Sequence, residues 1–535
     1  MANPKDQVDT IEMVTSQSVH HTLTAGAKHE LEAERTMTLG QALRMYPKAI
    51  MWSMVISLPI IMTGYDLALI GNFYAFPQFN QKYGERLDDG TYALAAPWQS
   101  ALTNGVLVGE MLGLLANGWA CERWGYKFVT QMSLAILTCL IFIPFFAPTV
   151  QVLLVGQILC GIPWGALTTL TIAYAADVCP AAIRAYMTSY VTLCWIIGSL
   201  LATGVLRGLL DRKDEWAYRI PFALQWMWPL PIFCAVFFAP ESPYWLIRHD
   251  RVEEARHAIR KLTSVPTEKV EDILALMTYT TQIEELSTQG TSYWDCFKGT
   301  NLRRTEIVCI YGGVVQTLCG QALAGLSVYF FTRAGLDPSH AFSLGLGQLG
   351  ILLVGFFLGW ICLNYVGRRQ LALIGLSMLS VLLFIVGFLS LAPKTNTDAS
   401  WAAGVMLVAW SFVAGVTFYP TVFPIQGEIP STRLRGKTIV LQRNLYNIVG
   451  VVMSVLNLYM LNPTQWNMQK QIAFVYGSTC FCCVIYVYFR VPECKGLTYA
   501  ELDSLFDRKV DARRFTTSAA DPFFDQQYDA KTESI

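Results

Sequence analysis

Three charged residues stand inside long apolar stretches of this chain: Asp66, Glu110 and Arg443. A charge at the centre of a bilayer costs about 2.5–3.5 kcal/mol on insertion scales, so each needs a partner, a water-filled path or a task. A carboxylate there can take up and release a proton as its surroundings change. That makes Asp66 and Glu110 candidate proton-coupling sites and Arg443 their candidate countercharge. The plainer alternative is a permanently paired structural carboxylate.

Arg443 opens a stripe. With Asn447, Gly450, Ser454 and Asn457 it falls at i, i+4, i+7, i+11 and i+14, one face of a helix. A polar face within lipid must look at protein or at water, so this face is expected to line a cavity. Gly105, Gly109 and Gly113, around Glu110, repeat every four positions. They are expected to let a neighbouring helix approach closely. Pro420, Pro424 and Gly427 interrupt another apolar run, as gate hinges or as a static kink.

Other chemistries find no support. The sequence has no Ser/His/Asp grouping, phosphate loop or metal-ligand constellation, and three of its six histidines (His20, His21, His29) lie in the polar N-terminal stretch. An enzyme is not expected, nor a cofactor or metal. Many of the fourteen cysteines, among them Cys139, Cys160, Cys194, Cys234, Cys309, Cys319 and Cys362, sit inside apolar runs and read as small packing residues. Cys480, Cys482 and Cys483 lack the second ligand pair of a zinc site. Lysine plus arginine equals aspartate plus glutamate at 39 each, so no net field points to nucleic acid.

The elements that must position these residues follow from run length. Apolar residues make up 53% of 535 positions and charged residues 15%, against roughly a quarter charged in soluble domains; mean hydropathy is +0.39. About 20 mostly apolar residues span a bilayer. Runs of that kind fall near Ile50–Phe73, Trp98–Trp119, Phe128–Ala147, Val150–Ala175, Tyr186–Leu206 and Phe222–Ala239. Six more fall near Glu306–Phe331, Phe342–Val366, Leu371–Leu391, Trp401–Ile425, Thr438–Leu461 and Gln471–Phe489. The expected fold is an all-α membrane protein of twelve transmembrane helices in two six-helix bundles. Residues 1–46 would form a disordered cytoplasmic tail without a cleavable signal, 47–240 the first bundle, 241–305 a cytoplasmic linker with short helices, 306–490 the second bundle and 491–535 a cytoplasmic tail.

Basic residues set the orientation. Arg123 and Lys127, Arg184, the run Arg248 to Lys261, Arg303 and Arg304, Arg368 and Arg369, and Arg433, Arg435 and Lys437 occupy alternate loops, which are therefore expected to be cytoplasmic with both termini. Arg207, Arg212, Lys213 and Arg219 would lie outside, accompanied by Asp211, Asp214 and Glu215.

Several of these loops repeat at a displacement of roughly 250 positions. Gly118-Trp-Ala-Cys-Glu-Arg-Trp-Gly-Tyr-Lys127 returns in outline at Gly359–Arg369, Asp177–Arg184 at Glu428–Arg435, and Pro240-Glu-Ser-Pro243 at Pro492–Gly496. A duplicated six-helix unit is implied, with a binding site near the midplane between the halves. Any one arginine may be purely topological in origin; the repeated set, Glu122, Arg123, Asp177, Arg184, Glu241, Arg368, Arg369, Glu428, Arg433, Arg435 and Glu493, is expected to form a conformational latch of ion pairs that break when the halves rock.

These motifs, with Gly64-Tyr-Asp66 and Pro240-Glu-Ser-Pro-Tyr-Trp-Leu246, make the chain resemble the sugar porter family of the major facilitator superfamily from about Pro47 to Phe506. Gly156–Gly165, Phe222–Pro229, Tyr293–Cys296, Arg303–Thr305, Glu428–Arg435 and Arg443–Asn447 are similar to its fungal α-glucoside (maltose permease) branch. The resemblance implies proton-coupled uptake of an α-linked disaccharide such as maltose at the plasma membrane, with sugar, protons and the lipid bilayer as partners and a monomer as the working unit. A sugar presents hydroxyls and C–H faces, so amides, hydroxyls and aromatics should converge on it. The candidates are Gln157, Trp164, Thr168, Thr192, Gln316, Gln321, Phe418, Phe423, Asn444 and Asn447, and in the family pattern the glutamine matching Gln316 contacts sugar. The chain departs from the pattern at Gln157, where proton-coupled sugar porters more widely carry an arginine, and at Thr63, where the branch commonly has a glutamate. Thr317 and Ala322 also stand where hexose carriers have glutamine and asparagine. The rival readings are an exporter, a carrier of another sugar or of a glycosylated metabolite, and a non-transporting sugar sensor, which the short stretch after Gly496 disfavours.

Overall fold

A computed structural model describes residues 37–86, 91–288, 292–391, 397–431, 434–462, 465–468, 471–495, 502 and 505–515. Arg433, most of the N-terminal tail and most of the C-terminal tail lie outside the described residues.

Among the described residues, eleven helices are long and apolar enough to cross a membrane. A twelfth, second in order, has spanning length but a polar inner face. In chain order they are α1 (Pro47–Phe73), α2 (Ala96–Trp124), α3 (Tyr126–Phe145), α4 (Val150–Val178), α5 (Ala181–Leu209), α6 (Trp216–Phe238), α7 (Gly299–Ala324), α8 (Pro338–Tyr365), α9 (Arg368–Leu389), α10 (Asp398–Glu428), α11 (Arg435–Leu461) and α12 (Ile472–Arg490). α2 is the less apolar one because it carries Gln99, Ser100, Asn104, Glu110 and Asn117 among its 29 residues. Helix is the form in which a spanning segment satisfies its own backbone.

Within the first half, α2 packs on α4 and α1 on α5; in the second, α9 packs on α12 and α8 on α10. Small residues set these approaches. A Cβ on Gly109 or Gly113 would collide with the backbone of Ile158 or Ile162, and one on Gly161 or Gly165 with that of Val106 or Glu110. The glycine repeat of α2 is thus a packing seam. Gly64 and Gly198 do the same for α1 and α5, and Gly355 and Gly359 for α8 and α10. The halves meet along α2/α11 and α5/α8. Outward, Met132, Ile136, Phe142, Leu230, Phe237, Met378, Val381, Phe481 and Ile485 are exposed, an apolar belt of the kind a bilayer covers.

Three departures from regular helix matter for the site. α6 passes through a 3-10 turn at Gln225–Met227, between Pro221 and Pro229, which cannot donate to the helical ladder. α10 widens at Ala414–Phe418 just ahead of Pro420, whose missing N–H removes a rung. α7 begins at Gly299 rather than Glu306, widens at Ile310–Val315 and Thr317–Gln321, and breaks at Gly320, whose φ is 114°. Only glycine adopts that backbone cheaply, and the Trp410 ring lies 3.0 Å from where a Cβ would stand. A turn at Gly325 and Leu326 then ends α7, so the expected single run to Phe331 is divided, its last piece being Ser327–Arg333.

One end of the bundle carries the basic loops and the helices Pro243–Arg248, Val252–Leu262 and Thr267–Thr288; it is called the basic face below, and the other end the far face. On the far face Arg212 pairs with Asp214 at 2.6 Å and Arg219 with Glu215 at 3.1 Å, so two of the four basic residues that run against the charge rule are locally neutralised. The Arg212 hydrogen bond holds the Asp214 carboxyl below its ordinary range.

Candidate functional site

Asp66, on α1, is fully buried, and its Oδ1 accepts a 2.6 Å hydrogen bond from Gln225 Nε2 at the 3-10 turn of α6. One residue earlier, the Tyr65 hydroxyl donates to the Pro221 carbonyl at 3.0 Å, so α1 and α6 are joined twice. Asp66 Oδ2 has no partner. Gln157, on α4, faces Asp66, and both of its amide atoms lack a hydrogen bond. Two turns further along α4, Trp164 Nε1 is likewise buried and unpaired.

Glu110 is 5% exposed and lies within electrostatic reach of Asp66 on its own half and of Arg443 on the other. Arg443 sits over the Tyr446 ring at 4.8 Å, a cation–π contact. The Tyr446 hydroxyl accepts from Gln321 Nε2 at 3.4 Å, beside the break in α7. Asn457 Nδ2 donates to Ala322 O at 2.8 Å, tying α11 to the same break. The α11 stripe thus faces α2 and α7. Asn447, 1% exposed, keeps both amide atoms unpaired, as do Ser454 Oγ and Gln321 Oε1.

The structure brings together Asp66, Gln157 and Glu110 from the first half with Arg443 and, through Tyr446, Gln321 from the second. Thr192, Gln316, Phe423 and Asn444 are part-buried on α5, α7, α10 and α11, and no described contact ties them to this group. Thr168 hydrogen-bonds back to Trp164 O at 2.9 Å, and Phe418 packs on Tyr311 at 5.7 Å. Gln225 and Tyr446 escaped the sequence reading. A lone amide in the apolar segment Phe222–Pro229 was the signal for the first, since an intramembrane polar side chain calls for a partner.

The latch candidates occupy the basic face. Glu241 accepts from the backbone N–H groups of Tyr126 and Lys127 at 3.0 and 3.1 Å, and from Ser242 at 3.0 Å. Burial pushes its carboxyl above the ordinary range while these donors pull the other way. Glu493 repeats this in the second half, accepting from Arg368 N at 2.9 Å and Arg369 N at 3.1 Å. Both carboxylates therefore sit at helix N-termini, where free N–H groups and the helix dipole favour an anion. Their glycine neighbours Gly125 and Gly367 leave the space that a Cβ would fill. This differs from the ion pairs expected of Glu241 and Glu493. Arg368 does pair with Glu428, at 3.2 Å. Asp177 accepts from Ser242 Oγ at 2.7 Å, Arg184 donates to Cys179 O at 3.3 Å, and Arg369 donates to Tyr488 O at 2.8 Å. Glu122 and Arg123 are exposed, Arg123 lying over Trp119 at 5.7 Å, and Arg435 begins α11.

Comparison with known proteins gives the same organisation. The family model "Sugar (and other) transporter" matches residues 52–506. The chain is 38% identical over 506 residues to a maltose permease of Saccharomyces cerevisiae, covering 93% of this chain and 82% of that protein. It is 39% identical over 507 residues to a general alpha-glucoside permease of the same yeast, covering 94% and 82%. Its fold matches the inward-open xylose transporter of E. coli, with a TM-score of 0.64 at 19% identity over 85% of this chain and 98% of that one. With polar groups of both halves brought within electrostatic reach of one another, the chain belongs to the sugar transporter family.

Proposed function

We propose that this protein imports an α-glucoside such as maltose across the plasma membrane by proton symport with alternating access, its basic face and both termini in the cytoplasm. The observation that carries the reading is a set of buried, unspent hydrogen-bonding atoms on α4, α7 and α11. Gln157 Nε2, Trp164 Nε1 and Asn447 Nδ2 offer donors, while Gln157 Oε1, Gln321 Oε1 and Asn447 Oδ1 offer acceptors. Leaving such groups dry and unpaired costs about 1–3 kcal/mol each. Sugar hydroxyls both donate and accept, so a polyol satisfies the mixed set where an apolar or purely anionic cargo does not.

The yeast relatives named for maltose and α-glucosides support the substrate class. For coupling, Glu110 and Arg443 lie on opposite halves and within electrostatic reach. Protonating Glu110 removes the attraction and frees the halves to rock, with residues 47–240 moving against 306–490. The carboxylates of Glu241 and Glu493 brace the inner ends of α3 and α9 during that motion, and Arg368–Glu428 is the latch contact formed in this conformation. Labelled maltose uptake in yeast lacking its own α-glucoside carriers, with and without a proton uncoupler, tests both parts. Absence of uptake refutes the sugar assignment, and uncoupler-insensitive accumulation refutes symport.

A further inference from the structure

Asp66 is enclosed by four helices, and the described groups that face it include no cation. Its ionisable neighbours are Tyr65 on α1, Glu110 on α2 and Cys160 on α4. α5 presents backbone to α1 at the Gly64–Trp195 and Gly198–Ile61 contacts, and α6 presents Gln225. A buried carboxylate is ordinarily sustained by a countercharge or by several N–H donors. Here the close donor is Gln225 Nε2 at 2.6 Å, with the Gln157 amide of α4 facing the same carboxyl as a second, neutral neighbour. Gln225 is 1% exposed and retains a free Oε1.

We propose that Gln225 is a positioning residue for proton coupling, its amide holding Asp66 to α6 in both protonation states. It donates through Nε2–H when Asp66 is a carboxylate, and accepts the carboxyl proton through Oε1 when Asp66 is protonated. A guanidinium has no acceptor and would serve the charged form alone. The neutral partner lets Asp66 exchange its proton without parting α1 from α6. The Tyr65–Pro221 bond holds the same pair of helices throughout. The first half then rocks as one body, and what proton movement weakens is the attraction between Glu110 and Arg443 across the halves.

The inference rests on the proton-symport reading, and the pH profile of initial uptake by the full-length chain separates the two. Gln225→Leu keeps the volume and removes the donor, so the midpoint moves about one pH unit toward alkaline. Gln225→Glu, which retains a polar group should the leucine variant fold poorly, moves it the same way because adjacent carboxyls share a proton. In an Asp66→Asn background the leucine change leaves the profile where it was. An unshifted profile in both variants, or a shift that persists without the Asp66 carboxyl, overturns the role of Gln225. A wild-type chain whose uptake ignores pH and uncoupler overturns the symport reading instead, and this proposal with it.

Discussion

Glu110 and Arg443 lie on different halves within electrostatic reach of each other, so their attraction changes when the halves move. Replacing Glu110 by glutamine keeps the shape while removing the titratable group. For Glu110→Gln we expect accumulation of labelled sugar to fall to equilibrium while sugar-driven exchange continues; retained accumulation refutes its coupling role. These two residues, and Asp66, were legible in the sequence because a charge in an apolar run is too costly to be incidental. Gln225 was not singled out, since an amide costs less and its bend in α6 depends on two prolines whose joint effect no local pattern displays. The roles of Glu241 and Glu493 were half legible. Their recurrence at one displacement marked them, but their partners are backbone N–H groups, which carry no residue identity to read.

At the scale of elements, glycines set how closely α2 and α4 approach, and through them where Glu110 sits. Gly165 lies against the backbone of Glu110 itself, while Gly109 lies against Ile158 and Gly161. A side chain at Gly109 must push the helices apart, and overpacking of this kind costs about 1–3 kcal/mol. Gly109→Val is expected to lower the thermal midpoint of the detergent-purified protein and to reduce uptake. Gly118→Ala, on the same helix with nothing within 4 Å of the new Cβ, is expected to change neither. An unaltered melting curve for Gly109→Val contradicts the seam. This spacing of four was readable because it follows from helix periodicity alone. The break in α7 was not, although Gly312, Gly313 and Gly320 interrupt its apolar run. A glycine permits a positive φ without requiring it, and the closeness of Trp410 on α10, 3.0 Å from where a Cβ would stand, is a tertiary contact that no local pattern displays. The low apolarity of α2 has a related cause: its polar residues are spent against α4 and α11 rather than lipid.

Across the whole molecule the two ends of the interface differ. Toward the far face one buried apolar cluster runs from Tyr65 to Phe79 in the first half into Tyr329, Phe330 and Phe342 of the second. Toward the basic face the first half shares its cluster with the linker helices, through Ala255, Ile259 and Leu262, and meets the second half through Tyr186, which packs edge-on against Trp360 at 5.7 Å and donates to Asn364 Oδ1 at 3.3 Å. A closed far face also carries polar ties across the halves. Asn462 Nδ2 donates to Leu94 O and Gln99 Oε1, both at 3.2 Å, and Gln99 Nε2 reaches the Tyr329 hydroxyl at 3.5 Å. Phe76 packs edge-on against Phe342 at 6.1 Å. Alternating access requires these contacts to part, so their strength sets the population open to the far side. Asn462→Ala deletes two of the hydrogen bonds and leaves the aromatic contact. With each bond worth about 0.5–1.5 kcal/mol net, the far-open population should rise on the order of tenfold. A cysteine in place of Thr103, which lies under the Tyr74 hydroxyl at 2.7 Å, reports on it. In that background, Asn462→Ala is expected to speed labelling by an impermeant maleimide from the far side by a similar factor. Saturating sugar should alter the rate in both backgrounds, because the cargo binds between the halves that must separate. Labelling that is unchanged by Asn462→Ala means that the aromatic contacts alone hold the far face shut.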